Sequence, residues 1–185
     1  MANVHHPRFM AFLDEFQKLI DAALPDREIL TQGTPLLAQL IAQDDWLPSE
    51  YAIASPTRYS QYLLHADPQD RFSIVSFVWG PGQQTPIHNH TVWGLIGILR
   101  GAEHSQGYAQ QPDGSLLPEG DPILLTQGMV DAVSEDTGDL HRVSNALADQ
   151  PSISIHIYGA NIGKLPRSTF QLDGTRHQFI SGYSN

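Results

Sequence analysis

The 185-residue chain contains no cysteine. That alone excludes a disulfide scaffold, a Cys-ligated zinc ribbon, a cysteine nucleophile and any Cys-derived crosslink. Basic residues are also scarce: ten Lys and Arg stand against twenty Asp and Glu, for a formal net charge of −10. A nucleic-acid footprint and a polybasic membrane anchor both need clustered positive charge, so neither nucleic acid nor membrane is an expected partner. No apolar run approaches the ~18 residues of a membrane span. The opening stretch MANVHHPRFMAF has neither a basic n-region nor a small-residue cleavage site. A cytoplasmic protein is the expectation, with His5 and His6 as an exposed, mobile pair.

Two periods run through the chain. Phe9, Phe12, Leu13, Phe16, Leu19, Ile20 and Leu24 recur at helical spacing, and Pro25 is expected to end that helix. Leu36, Leu37, Leu40 and Ile41 predict a second helix, opened by Thr34-Pro35 as N-cap and first turn. A third short turn is expected around Trp46 to Ala52. From about Arg58 the period changes to two. RFSIVSFVWG, TVWGLIGILRG, DPILLTQGMVDAVS and PSISIHIYGAN are short apolar or alternating runs, separated by turn-formers such as PGQQTP and PDGSLLPEGDP. The organisation predicted is all-β: a helical segment over 1–57 packed on a barrel or sandwich over 58–185, as one domain.

Nine histidines are present, and their placement carries the chemistry. His88 and His90 stand two apart in PIHNHTV; on a strand both imidazoles would leave one face and could share a metal. His141 follows in GDLHRVSN. Such a pair is often only a surface pair, but the spacing around it is informative. Gly82, five residues, His88, one residue, His90 and then Gly101 resembles the first cupin motif. Gly138, His141 and Asn145 resemble the tail of the second, with Asp136 where a proline is usual. The fold this implies is a cupin (jelly-roll) β-barrel.

The glutamate expected four residues after His90 is absent; Gly94 stands there. Three neutral imidazoles leave a divalent metal its full charge and open positions, which suit an anionic ligand such as a thiolate. Zinc hydrolysis at a three-histidine site is the other chemistry such a set permits.

Ser154, His156 and Tyr158 alternate with Ile153, Ile155 and Ile157 in SISIHIYG, so on a strand they form a row on one face. That row reads equally as a polar face toward solvent and as a relay lining a cavity, with His156 bonded to the Tyr158 hydroxyl and Ser154 fixing the ring.

Together these residues resemble the thiol dioxygenases, the cysteine dioxygenase family of cupins. The resemblance implies non-haem Fe(II) held by His88, His90 and His141. It also implies a small thiol and O2 as substrates, and a sulfinic acid as product. It places Gln61, in YSQYLL, where the mammalian enzymes carry a carboxylate-binding Arg. This matches a Gln-type bacterial branch associated with 3-mercaptopropionate, in which Arg167 would supply the missing cation. Without cysteine, Tyr158 stands free of the Cys–Tyr thioether of the mammalian enzymes, whose place corresponds to Gly94-Leu95. Two other classes remain in view: a non-catalytic ligand-binding or sensory cupin, and a zinc or manganese cupin isomerase or hydrolase. Trp93 is expected in the pocket wall or the core, and Tyr59 in packing. His65, His104 and His177 are expected to be structural or exposed. Oligomeric state is left open.

Overall fold

The computed structural model describes residues 4–136 and 138–185. Helix α1 (Pro7–Asp21) buries Phe9, Phe12, Phe16, Leu19 and Ile20, the stripe that the periodicity predicts. His5 is exposed, but His6 is tied down: it is the N-cap of α1, and its Nδ1 accepts from the Arg8 backbone N–H at 3.3 Å.

The second helix, α2 (Asp26–Ile41), starts a full two turns before the expected Thr34-Pro35. Pro25 is its N-cap, and α1 has already stopped at Asp21, with Ala23 at φ +50 making the turn. Asp26 and Glu28 put negative charge at the positive end of the helix. Pro35 sits inside and has no N–H for the Thr31 carbonyl. The Thr34 hydroxyl donates to the neighbouring Leu30 carbonyl at 2.8 Å. Burial of Leu37, Leu40 and Ile41 holds the helix through the proline, since packing outweighs local propensity. The turn expected near Trp46 is a 3-10 turn at Ser49–Tyr51.

Eleven strands follow among the described residues: β1 (Ser60–Ala66), β2 (Ser73–Trp79), β3 (Ile87–His88), β4 (Gly94–Arg100), β5 (Ala102–Gln110) and β6 (Leu116–Thr126), then β7 (Val130–Val133), β8 (His141–Asn145), β9 (Ser152–Tyr158), β10 (Arg167–Phe170) and β11 (Arg176–Phe179). They form two antiparallel sheets, ordered β1-β2-β9-β4-β7 and β11-β10-β3-β8-β5-β6. This is the cupin jelly roll, with the two helices laid on the outer face of the first sheet.

That layering explains why β2 and β9 are buried on both faces. Ile153, Ile155 and Ile157 of β9 join the core formed with Phe16, Leu37 and Ile41 of the helices. Val75, Phe77 and Trp79 of β2 turn the other way and pack with Val143 and Tyr158 inside the barrel. Gly97 lets α2 approach β4 closely: a Cβ there would lie 2.9 Å from both Leu37 Cγ and Ile41 Cδ1. No helix is long and apolar enough to cross a membrane among the described residues.

Candidate metal centre

His88 closes β3 and stands directly opposite His141 of β8 in the strand register. His90 is not a strand residue as the HxH spacing predicts. The strand β3 holds only Ile87 and His88, and His90 lies in the following loop, where Thr91 takes φ +60. Asp139 directs it instead. The Asp139 carboxylate accepts from the His90 backbone N–H at 2.9 Å, from the Thr91 N–H at 3.0 Å and from the His90 ring Nδ1 at 2.8 Å. The three rings close on one another at centroid distances of 4.8, 4.8 and 4.9 Å.

Every Nδ1 in the cluster has an outer partner: the Pro86 carbonyl for His88 at 3.1 Å, Asp139 for His90, and the Ser105 hydroxyl for His141 at 3.3 Å. Each Nε2 is thereby left for the centre, as in metal sites where an outer hydrogen bond fixes the ring. The Nε2 of His90 is buried and has no hydrogen-bond partner. Leaving such an atom unpaired costs about 1–3 kcal/mol, and a metal ion would relieve that cost. Burial, reinforced by neighbouring imidazoles, pushes His88 and His141 well below the usual histidine range. Both therefore keep the lone pairs that ligation requires. The cluster holds three histidines and no carboxylate among the described residues, a donor set that fits a divalent transition metal.

The polar row of β9 faces inward and not to solvent; Ser154, His156 and Tyr158 are all buried. Ser154 Oγ lies 2.8 Å from His156 Nε2, and His156 Nδ1 lies 2.7 Å from the Tyr158 hydroxyl. Both imidazole nitrogens are thus occupied, which removes His156 from the possible ligands. The Trp79 Nε1–H donates to Ser154 at 3.2 Å, and the Tyr158 ring stacks on His90 at 5.4 Å. Burial holds the Tyr158 phenol up and drives His156 well down, so both are neutral.

Residues 35–167 match the family described as Cysteine dioxygenase type I, a span that holds all three histidines and the whole β9 row. The chain belongs to the cysteine dioxygenase type I family. It is 28% identical over 118 residues to cysteine dioxygenase type 1 of Danio rerio, covering 62% of this chain and 56% of that protein. Against the Bos taurus enzyme the identity is 25% over 118 residues, covering 60% and 57%. The chain therefore matches a little over half the length of these curated relatives. A cupin superfamily protein from Desulfitobacterium hafniense, known as a crystal structure, aligns at TM-score 0.48 with 17% identity, over 64% of this chain and 94% of that one.

In this cysteine dioxygenase family member, a cavity of about 130 Å³ opens onto His88, His141, His156 and Tyr158. Gln61 and Arg167 also line it. Arg167 is buried, its Nη2 donates to the Ser181 hydroxyl at 2.8 Å, and its guanidinium lies 4.7 Å from the Phe179 ring centroid. Its Nε has no hydrogen-bond partner, and no ion pair to it occurs among the described residues. The Gln61 Nε2 donates to the Ser181 carbonyl at 3.5 Å.

Tyr59, expected only in packing, lies tilted against Trp79 with 4.7 Å between ring centroids and forms cavity wall. Asp139 was not among the expected site residues, although it stands two residues before His141. Phe179 and Ser181 also line the cavity and were not expected there, since they stand in a polar C-terminal stretch with no motif to flag them. Trp93 belongs to the core beside Phe16, 6.3 Å between ring centroids, and does not line the cavity. His104 and His177 are exposed, and His65 packs against Phe72 at 5.3 Å.

Proposed function

We propose that this centre is a non-haem Fe(II) thiol dioxygenase site acting on a small mercapto-carboxylate, with 3-mercaptopropionate preferred over L-cysteine. The observation that carries the reading is the buried Arg167 guanidinium, without a counter-ion, in the same small cavity as His88 and His141 of the three-histidine cluster. A buried cation without a counter-ion is costly, and a substrate carboxylate would relieve that cost.

His88, His90 and His141 would hold the metal, whose open positions would take the thiolate and O2. Overall, the thiol and O2 combine into the sulfinic acid; both oxygen atoms end on sulfur, which supplies the electrons. The protein's own part is binding and orientation. Arg167 would pair with the carboxylate, and Gln61 would add a neutral contact where the mammalian enzymes are expected to use Arg. Tyr158 would present its hydroxyl to the reacting groups, set in place through His156 and Ser154. Tyr59, Phe77, Trp79 and Val143 would keep water from the sulfur.

The preference follows from the lining. It contains no Asp or Glu, so the ammonium group of cysteine would meet no anion there, whereas 3-mercaptopropionate brings only the carboxylate that Arg167 lacks. The Gln-type branch is the assignment consistent with Gln61 and Arg167 sharing this cavity.

The test is O2 consumption by protein loaded anaerobically with Fe(II), with 3-mercaptopropionate and L-cysteine side by side and sulfinate measured as product. Uptake with a higher kcat/KM for 3-mercaptopropionate is expected. Bound iron with no uptake for any small thiol would overturn the enzyme reading in favour of a ligand-binding cupin.

A further inference from the structure

We propose that Glu103 sets the direction of the Ser154–His156–Tyr158 hydrogen-bond relay, and so decides whether the Tyr158 hydroxyl meets the cavity as a donor or as an acceptor. The proposal rests on the reading of that row as a relay facing the metal centre.

Glu103 is the second residue of β5, paired with Asn145 of β8 on one side and Leu125 of β6 on the other. It is fully buried. The buried acids among the described residues are Asp67 and Glu103, and they are held in opposite ways. Asp67 is gripped by the Arg71 guanidinium at 2.8 Å, whereas no cation pairs with Glu103. Across the barrel, the hydroxyls of Ser154 and Ser152 of β9 are the polar groups that favour its charged form. Neither carboxyl oxygen forms a hydrogen bond of good geometry, and the Ser152 hydroxyl is equally unpaired. Glu103 therefore stands at the far end of the relay from Tyr158, with Ser154 between it and His156.

The titratable groups on the strands around it are Arg100 of β4, His104 of β5, Glu119 and Asp121 of β6, His141 and Arg142 of β8, and His156 of β9; none of them forms an ion pair with this carboxyl among the described residues. Burial pushes it up to about 8, with the two serine hydroxyls pulling the other way. It is thus the member of the relay that can change charge near neutral pH, because Tyr158 and His156 are both held neutral.

A neutral imidazole has one N–H, so the relay has two self-consistent arrangements. With Glu103 protonated, its O–H donates to Ser154, Ser154 donates to His156 Nε2, His156 Nδ1–H donates to the Tyr158 oxygen, and the Tyr158 O–H points into the cavity. With Glu103 ionised, Ser154 donates to the carboxylate, His156 Nε2–H donates to Ser154, Tyr158 donates to His156 Nδ1, and the phenol offers the cavity only lone pairs. The proton count closes: each group passes one proton along, one proton leaves Glu103, and one leaves from Tyr158 to water in the cavity. No residue of the relay changes charge except Glu103.

The experiment is 15N NMR of histidine-labelled full chain with diamagnetic Zn(II) in the site, read between about pH 6 and pH 9.5, since nitrogen shifts report which ring nitrogen carries the proton. The His156 signals are identified by their loss in His156→Gln. In the unmutated protein, the His156 proton is expected on Nδ1 at the acid end and on Nε2 at the alkaline end. The exchange should be half complete near the titration of Glu103. In Glu103→Gln the tautomer should stay constant over the whole range. A His156 tautomer in the unmutated protein that does not move with pH would overturn the proposal, even if the variant fails to fold. So would a Glu103→Gln variant that shifts as the unmutated protein does. Because the readout needs no turnover, failure of the dioxygenase reading would appear separately, as absent O2 uptake with a relay that still reverses.

Discussion

Gly94 and Tyr158 are direct cross-strand partners between β4 and β9, and a Cβ on Gly94 would fall 3.0 Å from Tyr158 Cδ1 and 2.9 Å from Val133 Cγ2. The position at which the cupin motif has its glutamate is therefore filled, from the neighbouring strand, by a phenol ring stacked on His90.

Gly94→Ala should accordingly be costly for so small a change. Crowding Tyr158 and Val133 is expected to destabilise the fold by about 1–3 kcal/mol. Displacing the phenol should lower thiol-dependent O2 uptake by roughly tenfold or more. Thermal unfolding and oxygen-electrode rates check both. An unchanged melting temperature with unchanged turnover would mean that the ring has room to spare.

Asp139 touches His90 three times without reaching the centre itself. Asp139→Asn keeps the shape but weakens the acceptor that fixes the ring and its tautomer. Metal affinity is expected to fall about 10–100-fold, the usual cost of removing an outer partner. Competition with a chelator of known affinity measures it. Equal retention of metal by both proteins would assign Asp139 to the loop alone.

These two residues also mark how far the sequence could be read. The β9 row was legible because strand periodicity is local: alternate isoleucines declare which face is apolar, and the polar face can then be tested for burial. The convergence of His88 and His141 was legible in outline because both motifs have fixed spacing. The loop placement of His90 was not, since a two-residue strand and a left-handed Thr91 depend on a carboxylate 48 residues away. The start of α2 failed for a similar reason: Pro35 is a local stop signal that burial of Leu37 and Ile41 overrides. Glu103 carried no signal either, because its meaning lies in the absence of a cation, which only the packed barrel reveals.

Arg167 should separate binding from turnover. In Arg167→Met the carboxylate loses its partner, and the KM for 3-mercaptopropionate is expected to rise about 30–150-fold, as for loss of a desolvated charge pair worth roughly 2–3 kcal/mol. The fall in kcat should be smaller. Cysteamine, which has a thiol but no carboxylate, supplies the control: its kcat/KM should not fall with the substitution. A parallel loss for both thiols would make Arg167 structural.

The stability of the fold should itself register Glu103. Its carboxyl is raised from the ordinary 4.5 to about 8, so between those limits the folded chain holds a proton that the unfolded chain has released. Stability then falls as pH rises, by about 1.4 kcal/mol per pH unit over the window, or roughly 4–5 kcal/mol at most, and levels off above it. Buried His156 acts in the opposite sense. Its folded pKa is depressed, so stability is complete above the ordinary 6.5 and is lost as pH falls below it. The two effects overlap in a single melting curve, but they part in a comparison. Glu103→Gln has no proton to lose and retains His156, so subtracting its stability from that of the unmutated protein cancels the histidine and leaves the carboxyl. Chemical denaturation at about pH 5, 7 and 9 should show the variant gaining on the unmutated protein at each step to about pH 8, and nothing more beyond it. A difference that stays flat across that range would mean that the carboxyl is already ionised, and that the barrel or its water supplies a partner able to hold the charge.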